Sequence, residues 1–266
     1  AMTVDAEESE RLELSLELVE GVLRLPGLDG WSGFGLAVQA YQKRAPDVIR
    51  WLAATTSGVG RRLNVRLVKG AYWDSEIKRA QERGMPGYPV YTRKQNTDVA
   101  YLACARLLLD AGELIYPQFA THNAHTVASC LAMARARGRA FEFQRLHGMG
   151  EELYATVTDP AGENAPCRVY APVGSHEDLL PYLVRRLLEN GANTSFVNRI
   201  VDERLPPEEI AADPVAFVET LPQIPHPRIP LPERIYGAER PNSRGLNFAD
   251  GRELERLAKA ATGALA

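Results

Sequence analysis

The sequence predicts an α/β protein with a parallel, barrel-type sheet, and three observations predict it. Short apolar runs alternate with amphipathic stretches of helical period up to about residue 190, the pattern of repeated strand–helix units. Polar residues stand where each apolar run ends: Asp5, Gln39, Arg66 with Lys69, His122 with Asn123, Gln144, and Tyr170. A doubly wound sheet gathers such groups at one switch point, whereas a parallel barrel builds its site from the carboxyl ends of successive strands. Finally, 266 residues with 45% hydrophobic and 24% charged content can bury a substantial core.

Taken in order, a short strand at 3–5 precedes an amphipathic helix at 7–25. The glycines of GLDGWSGFG (27–35) make the turn into a strand at 35–41, followed by a helix at 46–56. The strand 64–68 alternates, with Arg66 and Val68 of one parity and Leu67 and Lys69 of the other. Helices at 73–83 and 97–111 follow it. Strands at 118–121 and 140–144 lead into helices at 125–137 and 150–157, and a strand at 168–171 leads into a helix at 176–190. The segment LPQIPHPRIPLPERIYG (221–237) is proline-rich, which disfavours regular helix and strand. A polar, alanine-rich helix at 251–264 closes the sequence. The expected division is a barrel over 1–220 and a linker with a terminal helix over 221–266.

Composition excludes several classes. A formal net charge of −3 gives no nucleic-acid footprint, and RARGR (135–139) reads as a solvated helix end. Three cysteines, odd in number and far apart, suit reduced thiols. Cys104 and Cys130 fall inside apolar helical patterns and are expected in the core. No run reaches transmembrane length and no signal-peptide pattern opens the sequence, so the expected location is cytoplasmic. Phosphate-loop, G-x-G-x-x-G and H-E-x-x-H patterns are absent, as is G-x-S-x-G. His122 and His125 have no companion carboxylate or cysteine cluster, so no metal is expected.

Two motifs carry chemistry. In VRLVKGAYWD (65–74) a cation lies beside an open backbone and two aromatics. Gly70 lets the chain turn and approach a ligand closely, and Tyr72 and Trp73 supply flat surface, a combination suited to a large planar ring of anionic character. The plainer reading is a buried strand with Arg66 in a salt bridge. On the helix 176–190, Leu179, Leu180, Leu183, Val184, Leu187 and Leu188 cover one half at helical spacing, and Tyr182, Arg185, Arg186 and Glu189 the other. Glu189 lies four residues beyond Arg185 and can pair with it. GANTSF (191–196) stops that helix with small hydrogen-bonding residues. Two adjacent guanidinium groups suit a bidentate grip on a carboxylate; a solvated helix face is the plainer alternative.

DAEE (5–8), QAYQKR (39–44), VRLVKGAYWDSEIKRAQ (65–81), YPVYTRK (88–94), YPQFATHNAHT (116–126), FEFQRLHGMGE (141–151), RVYAPVG (168–174) and YLVRRLLENGANTSFVNRI (182–200) stand in an order that resembles the proline dehydrogenase domain of the bacterial proline utilisation A family. The resemblance runs to about Pro222 and more loosely through the proline-rich tail. It implies a (β/α)8 TIM-like barrel whose first two β/α units, one bearing a lysine for the substrate carboxylate, are not found among these residues. It also implies FAD-dependent oxidation of L-proline to pyrroline-5-carboxylate by hydride transfer to flavin N5. A quinone would be the electron acceptor, an aldehyde dehydrogenase module would follow on the same polypeptide, and contact with the inner membrane would be peripheral. Carried over residue by residue, Arg185 and Arg186 hold the carboxylate and Glu189 orients them. Tyr170, Leu146 and Tyr72 line the substrate pocket, and Asp5 joins the polar network beneath it. Arg66 lies near the flavin N5 edge. Gln39, Val68, Lys69, Gly70, Trp73, Arg93, Lys94, Thr121, His122, Asn123, Gln144, Ser195 and Phe196 hold the rest of the cofactor. Two other readings stand beside this one: an aldolase-type barrel using Lys69 as a Schiff-base former, and a truncated, non-catalytic barrel fragment.

Overall fold

The computed structural model describes residues 1–191 and 212–264, with side chains described to Val184 in the first segment and to Gly263 in the second. Six strands form one sheet in the order β1 (Met2–Val4), β2 (Phe34–Gln39), β3 (Leu63–Val68), β4 (Ile115–Ala120), β5 (Glu142–Leu146) and β6 (Cys167–Tyr170). Every neighbouring pair is parallel, and spatial order follows chain order without a reversal. This single winding curls the sheet as a half-barrel and gives no switch point. Every carboxyl end therefore faces the same rim.

The intervening helices are α1 (Leu12–Leu23), α2 (Ala45–Val59), α3 (Trp73–Glu82), α4 (Lys94–Asp110), α5 (Ala124–Arg137), α6 (Glu151–Thr158) and α7 (His176–Gly191). Each predicted unit is present, with shifted ends. α1 is preceded by a separate 3-10 turn at Ser9–Arg11. β4 begins at Ile115, where Leu63 and Leu67 of β3 draw Ile115 and Phe119 into register. α4 begins at Lys94, three residues before the threonine predicted to start it. α2 and α5 each end on a glycine in the left-handed region, Gly60 (φ 72°) and Gly138 (φ 58°), conformations that cost other residues more.

One core lies between the sheet and its helices. Leu36 and Val38 of β2, Val65 and Leu67 of β3, Phe119 of β4 and Phe143 of β5 meet Leu52 of α2, Cys104 and Leu108 of α4, and Cys130 of α5. Each fully buried side chain of this size contributes about 1.5–3 kcal/mol. Phe143 stands edge-on to Phe141 at 5.1 Å and to Tyr154 at 5.7 Å, the geometry that ring quadrupoles favour. Tyr101 is fully buried, and its hydroxyl donates to the Leu67 and Ala120 carbonyls at 3.1 and 3.3 Å, tying β3 to β4 at the rim.

Along each strand the alternate residues face away from this core. Arg66 pairs in register with Gln118, Gln118 with Glu142, and Gln144 with Arg168. The inner face of the half-barrel is therefore polar across four strands.

The proline-rich tail lies on the body. Beyond the short helix α8 (Pro214–Glu219), the Tyr88 hydroxyl donates to the Pro230 carbonyl at 2.6 Å, and the His226 amide donates to Thr92 Oγ1 at 2.9 Å. Ile229 packs in a second small cluster with Tyr41, Ile77, Tyr88 and Val90. A 3-10 turn at Pro232–Arg234 interrupts this otherwise irregular segment. The helix α9 (Gly251–Ala264) follows. Among the described residues no helix is long and apolar enough to cross a membrane.

Candidate active site

Arg66 is the hub of the rim. Its Nε donates to Gln144 Oε1 at 2.7 Å, its guanidinium carbon stands 5.2 Å from the Tyr170 ring centroid, and its NH1 lies 3.9 Å from Asp5 Oδ1. Side chains from β3, β5, β6 and the end of β1 thus converge on one cation. The cation–π contact carries about 0.5–2 kcal/mol depending on desolvation. Asp5 is largely solvated, so its contribution is small. Leu146 lies buried at the end of β5 on the same face as Gln144.

The β2 and β3 ends form a second group. Gln39 is buried, donates to the Ala6 carbonyl at 3.0 Å and accepts from Gln42 Nε2 at 3.0 Å. Val68 pairs with it in register, and its carbonyl accepts from the Ala40 amide. Lys69 points to the helix side, where it forms an ion pair with Asp98 of α4. Gly70 has φ 137°, and a Cβ there would meet the Tyr41 ring at 2.5 Å. The close approach that demands glycine is therefore to Tyr41. Burial pushes the Tyr41 phenol far up, with the Glu76 carboxylate adding to it. Tyr72 donates to Glu7 Oε2 at 2.7 Å, and Trp73 Nε1 donates to the Tyr91 carbonyl at 2.8 Å.

The β4 end is organised by local bonds. Thr121 is buried and accepts from the Asn123 amide on Oγ1, while its carbonyl accepts from the Tyr154 hydroxyl. Asn123 caps α5 by accepting from the Thr126 amide at 2.9 Å, which is sufficient reason for an asparagine there. His122 Nε2 accepts from the Leu146 amide at 3.2 Å, linking β4 to β5. Arg93 Nε donates to the Ile224 and Pro225 carbonyls at 3.1 and 3.3 Å, and Lys94 opens α4 behind it.

The side chains of Arg185, Arg186 and Glu189, and all of Ser195 and Phe196, lie outside the described residues. Within the described part of α7, Leu180, Leu183 and Val184, predicted to cover its apolar half, are solvent-exposed.

Three polar residues of the inner face, Glu142, Gln118 and Arg168, escape sequence reasoning as members of the candidate site. Glu142 is buried on β5, two residues before Gln144, and accepts from Gln118, Gln144 and, bidentately, Arg168 at 2.8–2.9 Å. Burial works to raise its carboxyl; the hydrogen bonds from Arg168, Gln144 and Gln118 and the Arg168 charge outweigh it and leave it below the usual carboxylate range. The signal was present in the alternation of FEFQRL, where Glu142 and Gln144 share a parity. Elsewhere, a cavity of about 390 Å³ opens between Arg44, Arg79, Met85, Tyr88 and Asn247, beside the rim rather than on it. Among the described residues no three metal-ligating side chains cluster.

Comparison with known proteins places the fold. The family model described as "Proline dehydrogenase" matches residues 1–199. The chain is 58% identical to the bifunctional protein PutA of Salmonella typhimurium over 97% of its own length and 20% of that protein. It spans about a fifth of the length of the curated relatives it matches first. A crystal structure of a single-site mutant of Bradyrhizobium japonicum proline utilization A superposes with a TM-score of 0.92 at 55% identity, covering 98% of this chain and 27% of that one. Proline utilization A from Bdellovibrio bacteriovorus, inactivated by N-propargylglycine, gives 0.86 at 33% identity, covering 98% and 26%.

Proposed function

The chain belongs to the proline dehydrogenase family, and from that premise we propose that it oxidises L-proline to pyrroline-5-carboxylate at the rim of the half-barrel, with FAD as cofactor. The observation that carries the reading is the convergence of Gln144, Tyr170 and Asp5 on Arg66. In this reading the six strands are six units of a (β/α)8 barrel over 1–220, and two further units would cover the β1 and β6 edges. Residues 221–266 are then the linker and terminal helix.

The donor set fits a flavin ring. The ring edge carries both carbonyl and N–H groups, and the inner face offers the Arg66 guanidinium as donor and a buried acceptor, Gln118 Oε1, that has no partner among the described residues. Gln39, Val68, Lys69, Gly70, Trp73, Gln144 and the Thr121–Asn123 turn lie at the ends of the strands that would hold the ring and ribityl chain. Arg93, Lys94, Ser195 and Phe196 would serve the distal end. When bound, the flavin would supply the two-electron acceptor, taking the hydride at N5 and giving the electrons on to a quinone.

The chain's own residues do the binding. Arg185 and Arg186 grip the proline carboxylate, oriented by Glu189. Tyr170 and Leu146 press on the pyrrolidine ring, Tyr72 lines the pocket, and Asp5 joins the polar network beneath the substrate. Arg66 sets a fixed positive charge where negative charge develops. An aldehyde dehydrogenase module on the same polypeptide, a cytoplasmic location and a peripheral membrane contact belong to the same proposal. No observation favours the aldolase alternative, since Lys69 is engaged by Asp98.

An anaerobic absorbance spectrum before and after proline tests the reading. Flavin bands that bleach on proline addition are expected. Protein that is colourless after purification with added FAD would overturn the cofactor assignment, and bound flavin that proline never bleaches would favour the non-catalytic fragment.

A further inference from the structure

We infer that Glu142 is a positioning residue for Arg66, acting through the amide of Gln144. The inference rests on the placement of Arg66 at the flavin edge proposed above. Glu142 is 5% exposed and sits on the inner face of β5, two residues before Gln144. An ionised carboxylate only accepts hydrogen bonds. Whatever amide faces it must therefore present its NH2 group. Gln144 does so, with Nε2 to Glu142 Oε1 at 2.8 Å, and its carbonyl is thereby turned outward to accept from Arg66 Nε at 2.7 Å. The flipped amide would set oxygen against carboxylate and NH2 against guanidinium, two repulsive contacts in place of two attractive ones.

The same reasoning explains Gln118. It also gives its Nε2 to Glu142 Oε1, at 2.9 Å, and its own carbonyl oxygen is buried with no donor among the described residues. One carboxylate thus fixes the sense of two amides on the inner face, one serving Arg66 and one presenting an acceptor. Arg168, the register partner of Gln144, occupies both Glu142 oxygens at 2.9 Å and keeps the group ionised and aligned. Asp5, the other group near Arg66, is 3.9 Å away and 73% exposed, too far and too solvated to set the guanidinium plane. Orientation of Arg66 is therefore decided two bonds away, by a residue that touches neither substrate nor cofactor.

The test compares R66M, Q144M, E142Q and the E142Q/Q144M double variant as flavin-loaded proteins, reading the flavin midpoint potential and kcat/KM for proline. R66M is expected to lower the potential. E142Q, whose 142 amide can donate as well as accept and so no longer dictates the sense of Gln144, is expected to shift the potential in the same direction by a smaller amount. It should also lower kcat/KM on the order of ten-fold, the size carried by one charge-assisted hydrogen bond. Adding E142Q to Q144M should shift the potential by less than E142Q does alone, because the link to Arg66 is already cut and only the Gln118 amide is still released. A wild-type potential in loaded E142Q while R66M is shifted would overturn the inference and leave the flavin reading intact. Additive effects of E142Q and Q144M would overturn it equally. If E142Q fails to fold, Q144M decides: an unshifted potential refutes the link. An unshifted potential in R66M would instead sink the flavin-edge reading, and this inference with it.

Discussion

Replacing Gly70 with alanine separates two reasons for a glycine in RLVKGAYWD. The first is a ligand that needs bare backbone; the second is the Tyr41 ring, which an added Cβ would meet at 2.5 Å from Cγ and Cδ1 and 2.6 Å from Cδ2. The backbone is at φ 137°, where L side chains are strained by about 1–3 kcal/mol. Tyr41 is 2% exposed and cannot swing into solvent, so overpacking adds about 1–3 kcal/mol more. A total of about 2–6 kcal/mol is a large share of a typical domain stability of about 5–15 kcal/mol. It corresponds to a melting temperature lower by roughly 4–20 °C. The assay is thermal and urea unfolding of flavin-free protein, for Gly70→Ala in the wild-type and Tyr41→Ala backgrounds. With the ring removed, the cost should fall to the backbone part alone, about 1–3 kcal/mol. Flavin-free Gly70→Ala that melts with the wild type, or an equal cost in both backgrounds, would refute the Tyr41 explanation and return the glycine to the ligand.

Other consequences can be checked alongside. Arg185→Met and Arg186→Met should each weaken proline binding by about 2–4 kcal/mol, the loss of a bidentate charge-assisted contact, with FAD still bound; unchanged proline affinity by titration would end the clamp assignment. Burial pushes the Cys104 and Cys130 thiols up to about 12, so at pH 8 only about one in ten thousand is thiolate. Mass spectrometry after iodoacetamide should show neither modified in the folded protein and both modified in urea, and rapid folded-state labelling of either would contradict the core placement. Glu142 is held below the ordinary carboxylate range, so its contribution to stability is present above the free-glutamate value of about 4.3 and is lost as pH falls through its lowered folded value. Urea midpoints should therefore fall through that acid window less steeply in E142Q than in wild type, and parallel pH slopes would show that Glu142 is not among the groups responsible.

Much of the scaffold was readable because its signals are local. The period-two alternation of NVRLV and the helical spacing of 97–111 report burial directly, since a residue's face follows from its place in the repeat. Strand-end polarity likewise pointed to the rim, because parallel winding sends every carboxyl end the same way. Element ends were less legible. β4 starts at Ile115 because β3 supplies the register, and the 3-10 turn before α1 opens at Ser9, whose amide and hydroxyl both go to Glu76, 67 residues away. The tail read as a loose linker, yet Ile224, His226 and Pro230 are hydrogen-bonded to Asn96, Thr92 and Tyr88, partners that composition cannot reveal.

The sequence by itself determined the class of the fold, the order of its strands and helices, and which residues stand at the strand ends, because each depends on periodicity within one segment. The tertiary structure decided which of those residues meet. It brought Arg66 to Gln144 across 78 residues and Lys69 to Asp98 across 29, gave Gly70 to Tyr41, and set Glu142 between Gln118, Gln144 and Arg168. Such pairings are set by strand register and sheet curvature, which arise only when separate segments pack, and a single residue of register would have turned each of these side chains to the opposite face.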